Sequence, residues 1–188
     1  GERRFAIEGN SQPIMIIGYH GVSDSHEDFE ALSLLGNIIS NGRTSVLYKK
    51  LVEEEKLGLQ VAAFNGFPGT RFGSLFLTLA IPNQGVELDT LEQRIYEEIE
   101  IVKGGSITQE ELDRARTNIR AGIIRGLANN TGLALNFAST YMTKGDWRDV
   151  FLQLERYNAV TLDDLQRVAN KYLIKQTRTV GATVKADS

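Results

Sequence analysis

The side chains of this 188-residue chain that could do chemistry are few, and they are poorly spaced for it. There are two histidines, His20 and His26, and no cysteine. A catalytic zinc ion needs three converging protein ligands and a general base close by. The nearest approach is His26-Glu27-Asp28-Phe29-Glu30, which has the outline of a zinc-binding H-E-x-x-H helix with glutamate in place of the second histidine. The preferred reading is a solvated helix N-terminus, where Glu27, Asp28 and Glu30 favour the positive end of the helix dipole. Glu53-Glu54-Glu55 gathers three carboxylates, but successive helical positions point about 100° apart, so it reads as a solvated face. Ser45, Ser74 and Ser139 have no histidine beside them to act as base. Gly42-Arg43-Thr44-Ser45 and Gly66-x-x-Gly69 fall short of phosphate-cradling loops and read as turns and caps. Asn129-Asn130-Thr131 meets the glycosylation spacing by chance.

The elements that must position these residues can be read from periodicity. Arg3 to Glu8 is a short edge strand. Pro13 to His20 contains the unbroken apolar run Ile14-Met15-Ile16-Ile17, which predicts a strand buried on both faces. Asp24 or Ser25 is expected to cap a helix from about Glu27, with Phe29, Leu32, Leu35 and Ile39 at helical spacing. Asn41-Gly42 ends it, because both residues tolerate positive φ. The hydroxyls of Thr44 and Ser45 are expected to cap a second helix that runs to Lys56–Gly58. Two strands follow, Leu59 to Phe64 and Phe72 to Ile81, joined by a turn-rich hairpin connection. In the second, Leu75, Leu77, Leu79 and Ile81 share one face and Phe76, Thr78 and Ala80 the other; one face meets helices and the other is mixed.

Leu88, Leu91, Ile95, Ile99 and Val102 define a long helix that ends at Gly104-Gly105. Thr108 and Glu111 form a capping box for the next helix, whose Leu112, Ala115, Ile119, Ile123 and Leu127 share a face. Gly122 and Gly126 on that side are expected to admit another backbone. Asn129 to Gly132 interrupts the helix, and three more helical stretches follow. The last runs from Thr161 to Leu173, with Thr161 as its cap. Arg178 to Val184 returns as a strand. A strand arriving after so many helices implies one sheet with helices mainly on one face, an α+β layered fold.

Composition narrows the function classes. The chain is 41% hydrophobic and 24% charged, with a net charge of −3 and the two signs interspersed. That excludes the basic footprint of nucleic-acid binding. No apolar run approaches the length that crosses a bilayer. Absence of cysteine removes disulfides, thiolate nucleophiles and zinc–thiolate sites together. The chain begins Gly1-Glu2-Arg3-Arg4-Phe5, with no initiator Met and no signal-peptide apolar region. We therefore expect one domain over residues 1–188, excised from a longer protein.

Three motifs carry a family resemblance. Asn41-Gly42-Arg43-Thr44-Ser45-Val46-Leu47-Tyr48-Lys49-Lys50-Leu51, followed by Glu53 to Gly58 and a strand, resembles the G-R-x-S-x-L-[YF]-x-x-L pattern in the second half of the M16 peptidases. These are the pitrilysin and mitochondrial-processing-peptidase type, also called inverzincins. Gly105 to Arg116 is similar to the family's G-x-[IV]-T-x-E-E-L-x-x-A-[KR] helix start, and Val160 to Leu173 to its V-T-x-x-[DE]-[LIV]-x-x-[VA]-A-x-x-[YF]-[LF] helix. The resemblance implies a single mixed, largely antiparallel sheet of about five strands with helices packed mainly on one face. It also implies a chain that is the C-terminal half of a two-half protein.

An M16 enzyme works through an H-x-x-E-H helix and a downstream glutamate, and this sequence has no H-x-x-E-H. No cofactor is therefore expected in this chain, and zinc is expected in the N-terminal half of the parent protein if that is an active peptidase. The family's second half contributes an arginine and a tyrosine seven residues apart that hold the substrate carbonyl. Those positions fall on Val52 and Leu59. An oxyanion-type donor is worth about 3 kcal/mol in the transition state, and neither aliphatic side chain can supply one. Arg43 as a substitute is less favoured than an exposed or capping arginine.

The resemblance implies as partners the N-terminal M16 half of the same chain, a homologous M16 subunit in a homo- or heterodimer, and a peptide substrate. Two functions follow. The first is the zinc-free lobe of a zinc metalloendopeptidase, whose sheet walls a chamber and takes extended peptide along a strand edge. The second is a non-catalytic structural or peptide-binding subunit like the bc-complex core proteins. A bacterial periplasmic or cell-envelope setting is expected from the resemblance alone.

Overall fold

β2 (Ile14–His20) is the middle strand of the sheet and pairs on both sides. A computed structural model of the chain describes residues 1–10 and 12–185. Its single sheet has the order β1-β5-β2-β4-β3, with β1 (Arg3–Gly9), β3 (Gly58–Phe67), β4 (Leu75–Pro82) and β5 (Arg178–Lys185). β1 and β5 run parallel and every other pair is antiparallel. The expected α+β arrangement is what the chain adopts.

In-register partners show which residues share a face. Met15, Ile17 and Tyr19 of β2 stand opposite Ala80, Thr78 and Phe76 of β4, and all six are buried. This is the helix-covered face. Its core adds Leu32, Leu35 and Ile39 from α1 (Phe29–Ser40), Leu91, Ile95 and Ile99 from α2 (Leu88–Lys103), and Leu165, Val168 and Ala169 from α6 (Leu162–Tyr172). The expectation that β2 is buried on both faces is corrected here. Ile16 is 43% exposed, because helices lie against only one side of the sheet. In β4 it is Phe76, Thr78 and Ala80 that meet the helices, and the strand begins at Leu75 instead of Phe72.

The second helical segment also differs from expectation. Residues Tyr48–Glu54 wind as a π-helix, with the Glu55 N–H donating to the Lys50 carbonyl and the Leu57 N–H to that of Leu51. Lys56, at φ +55°, ends it before Gly58. Ser45 does not accept a capping bond. Its buried hydroxyl donates to the Gly42 carbonyl at 2.7 Å and tightens the turn, in which Gly42 has φ +81°. Short π-helical runs cost regular hydrogen bonding and tend to occur at functional positions.

α3 (Gln109–Gly126) starts with the expected capping box, as the Glu111 N–H donates to Thr108 Oγ1 and the Thr108 N–H to the Glu111 carboxylate. Thr161 and Asp164 repeat the device at α6. Thr108→Ala is expected to cost about 1 kcal/mol, read as a lower midpoint in urea denaturation. Gly122 faces open space, so it admits no second backbone. Gly126 does receive α4 (Asn130–Lys144): the Asn136 amide donates to its carbonyl at 3.1 Å, and Gly132 lies against it without room for a Cβ. α5 (Asp149–Ala159) completes the helical layer.

Candidate functional site: the uncovered face of the sheet

The face of the sheet away from the helices is built by the other set of alternating residues. Ile16 of β2 stands opposite Leu79 of β4 and Gly181 of β5, and Gly181 stands opposite Phe5 of β1. Ala62 and Phe64 of β3 stand opposite Leu79 and Leu77. The surface these residues form is apolar and partly open: Phe5 is 58% exposed and Ile7 59%. Two glycines flatten it. The Leu77 side chain lies over Gly18, 3.1 Å from where a Cβ would sit, and the Phe5 ring fills the space a Cβ at Gly181 would need. Leaving so much contiguous apolar surface in water is unfavourable, and such patches mark binding sites.

The edge of the sheet at β3 is closed. The Ala63 N–H donates to Ser40 Oγ at 2.5 Å, and the same hydroxyl donates to the Ala63 carbonyl at 2.6 Å. Next along the strand, Asn65 Nδ2 donates to Ser33 Oγ at 3.2 Å. Gly36 lets α1 come this close, since a Cβ there would stand 3.4 Å from the Phe64 Cα. An extended peptide cannot add to β3 over this stretch without displacing α1.

The histidine-containing segment does something other than expected. α1 begins at Phe29, so His26 and Glu30 do not share a helical turn. His26 Nδ1 accepts the Asp28 N–H at 3.0 Å and so closes the helix start, where Asp24 and Ser25 had been expected to act. The segment is not a solvated terminus either, because Asp28 and Glu30 are buried and only Glu27 is exposed. Asp28 receives Arg167 Nη1 at 2.6 Å, Lys171 Nζ at 2.8 Å and Tyr172 Oη at 2.6 Å, all from α6. Burial alone would raise its pKa, but the hydrogen bonds from Lys171, Tyr172 and Arg167 outweigh it and hold the carboxyl well below the usual carboxylate range. Glu30 accepts from Arg156 Nε at 2.6 Å. These acids lock helices together. Among the described residues no group of three or more His, Cys, Asp or Glu side chains could hold a metal ion.

Val52 lies in the π-helical segment and packs inward, with its Cγ2 3.7 Å from the place of a Gly58 Cβ. Leu59, the next residue after Gly58, is 57% exposed where the β3–β4 register shifts. Both positions lie where the π-helix leads into β3. Glu53 to Glu55 is exposed as expected, with Glu54 paired to Lys50 and Glu55 to Arg94. Reading of the sequence missed the open apolar face as a site. Its signal was present in β1, where Arg3, Phe5 and Ile7 alternate with Arg4, Ala6 and Glu8.

The peptidase M16 inactive-domain model matches residues 1–119. The chain belongs to the M16 peptidase family. It is 31% identical to the zinc protease PqqE of Helicobacter pylori over 169 residues, which are 90% of this chain and 37% of that protein. Among solved structures, a protease from Helicobacter pylori superposes with a TM-score of 0.86 at 26% identity, covering 97% of this chain and 44% of the other. An inactive peptidase domain from Bordetella parapertussis gives 0.83 at 28% identity and covers 98% of this chain and 96% of its own. The chain thus spans well under half the length of the curated relatives it matches. Of the M16 motifs, the one at Gly42 forms the turn and π-helix, and those at Thr108 and Thr161 form the two capping boxes.

Proposed function

We propose that this chain is the zinc-free lobe of an M16 zinc metalloendopeptidase, which encloses peptide substrate and positions it for hydrolysis at a zinc site in the other half or in a partner subunit. The observation that carries the proposal is the uncovered apolar sheet face, with helices confined to the opposite side. Such a face suits the wall of a chamber, where it binds apolar side chains of an extended peptide and excludes water from it. Of the positions Val52 and Leu59, the exposed Leu59 would contact that substrate as apolar surface while Val52 packs inward, and neither has a donor to offer its carbonyl. The peptide would lie across the face and not along β3 beside Ala63, where α1 occupies the edge. The intact protein would lie in the bacterial periplasm or cell envelope, a placement that rests on the family alone. No helix among the described residues is long and apolar enough to cross a membrane.

The test uses the assembled parent protein. Ile16→Asp or Phe64→Asp on the open face is expected to lower kcat/KM for peptide about tenfold, the equivalent of about 1.4 kcal/mol of lost binding, with the melting temperature little changed. The 188-residue chain alone is expected to give no zinc-dependent hydrolysis. Chelator-sensitive turnover by the chain alone would overturn the proposal, as would open-face variants with unaltered kcat/KM. A parent sequence without H-x-x-E-H would instead favour the structural, peptide-binding reading.

A further inference from the structure

The two ends of the sheet are treated differently. β3 carries α1 against its outer edge at Ala63, whereas among the described residues nothing pairs with the outer edge of β1. Among the described residues the β1 backbone makes no hydrogen bond beyond those to β5, and six of its seven residues are exposed. A strand with one side unpaired is a template for another strand. Native proteins usually blunt such an edge with a bulge, a proline or like charges, and β1 has none of the first two.

We propose that β1 pairs with β1 of a second copy of this chain, antiparallel about a twofold axis beside Ala6, so that two sheets become one. The sequence Arg3-Arg4-Phe5-Ala6-Ile7-Glu8-Gly9 is its own complement in that register. Arg4 stands opposite Glu8 of the second copy, Phe5 opposite Ile7, and Ala6 opposite Ala6. A twofold contact repeats each pair, as an isologous interface requires. Shifting the register by one residue would put the helical layers of the two copies on opposite sides. Shifting it by two would leave Arg4 opposite Ala6, or Glu8 opposite Ala6. Only the register centred on Ala6 matches both the charges and the apolar residues. It also joins the two open apolar faces on one side of the enlarged sheet.

The charged pair is prepared for this contact. The Arg4 guanidinium donates to Glu92 through two bonds, at 2.8 and 2.6 Å, and to Glu2 at 3.3 Å, and Arg4 remains about half exposed. Glu8 is exposed and has no ion pair among the described residues. The contact does not depend on the proposed function, since it would serve an enzyme lobe or a binding subunit equally.

The chain has no cysteine, so Ala6→Cys introduces a single thiol at the axis. On mild oxidation of the native chain this variant is expected to form a disulfide-linked dimer, whereas Glu54→Cys, on an exposed helical surface away from β1, is expected to form no such cross-link. Light scattering of the unaltered chain is expected to show a mass rising with concentration from 20.9 kDa toward twice that value. Glu8→Arg, which sets arginine against Arg4, is expected to weaken the association at least tenfold. Circular dichroism checks the fold of each variant. A chain that stays monomeric at millimolar concentration would overturn the proposal, and so would a dimer indifferent to Glu8→Arg. Protection of β1 amides by added peptide in a monomeric chain would assign the edge to peptide and would overturn it equally.

Discussion

Asp28→Asn is expected to cost about 2–3 kcal/mol of folding stability, because it removes the negative charge that faces Arg167 and Lys171 and turns one of the two accepting oxygens into an N–H donor at a site with no solvent access. Arg167 and Lys171 are each about half exposed and can rehydrate, which keeps the loss below that of a fully buried pair. Tyr172 cannot do so as readily. The pH dependence has a definite sign. The folded pKa of Asp28 lies below its unfolded value, so its stabilisation is fully present above the unfolded pKa of about 3.9 and is lost as pH falls toward the folded one. Urea midpoints of the unaltered chain and of Asp28→Asn should therefore differ most above about pH 5 and converge in acid. A constant difference across that range would mean that the lost interaction is packing and not charge.

Phe76→Ala is expected to be the most damaging single truncation in the sheet, at about 3–5 kcal/mol. Phe76 has no exposed surface and projects from β4 onto α1, with its Cε2 3.4 Å from the site of a Gly36 Cβ. Its loss leaves a cavity that α1 cannot fill, because Ser40 and Asn65 hold that helix to β3. Ile16→Ala, on the other face, should cost about 1 kcal/mol or less, since that side chain is already in contact with water. Chemical denaturation of the two variants measures the asymmetry of the sheet directly. Equal losses would mean that helices or another layer cover both faces.

Much of the fold was legible because its signals are local. The 3- and 4-residue spacing of Leu88, Leu91, Ile95 and Ile99 specifies α2 without reference to anything else. Thr108 with Glu111, and Thr161 with Asp164, place two helix starts through atoms three residues apart. The family motifs were legible for the same reason, as each is a turn or a cap whose chemistry is contained in a dozen residues. The candidate site was legible only in the negative sense: two histidines and no cysteine cannot make a zinc centre of three such ligands, and Val52 and Leu59 cannot donate a hydrogen bond.

Tertiary structure decided the rest. The apolar run Ile14 to Ile17 is compatible with a covered or an open second face, and only the placement of the covering helices on the other side leaves Ile16 in contact with water. Asp28 looked like an acid at a solvated helix start, yet its partners Arg167, Lys171 and Tyr172 follow it by 139 to 144 residues. Likewise, whether β3 or β1 is the open edge depends on Ser40 reaching Ala63 across 23 residues. Spacing along the chain determines how a helix or strand begins, which way its side chains alternate and where it stops. Which face is wetted, which charge is neutralised and which edge is free depend on contacts between distant segments, and no local pattern encodes them.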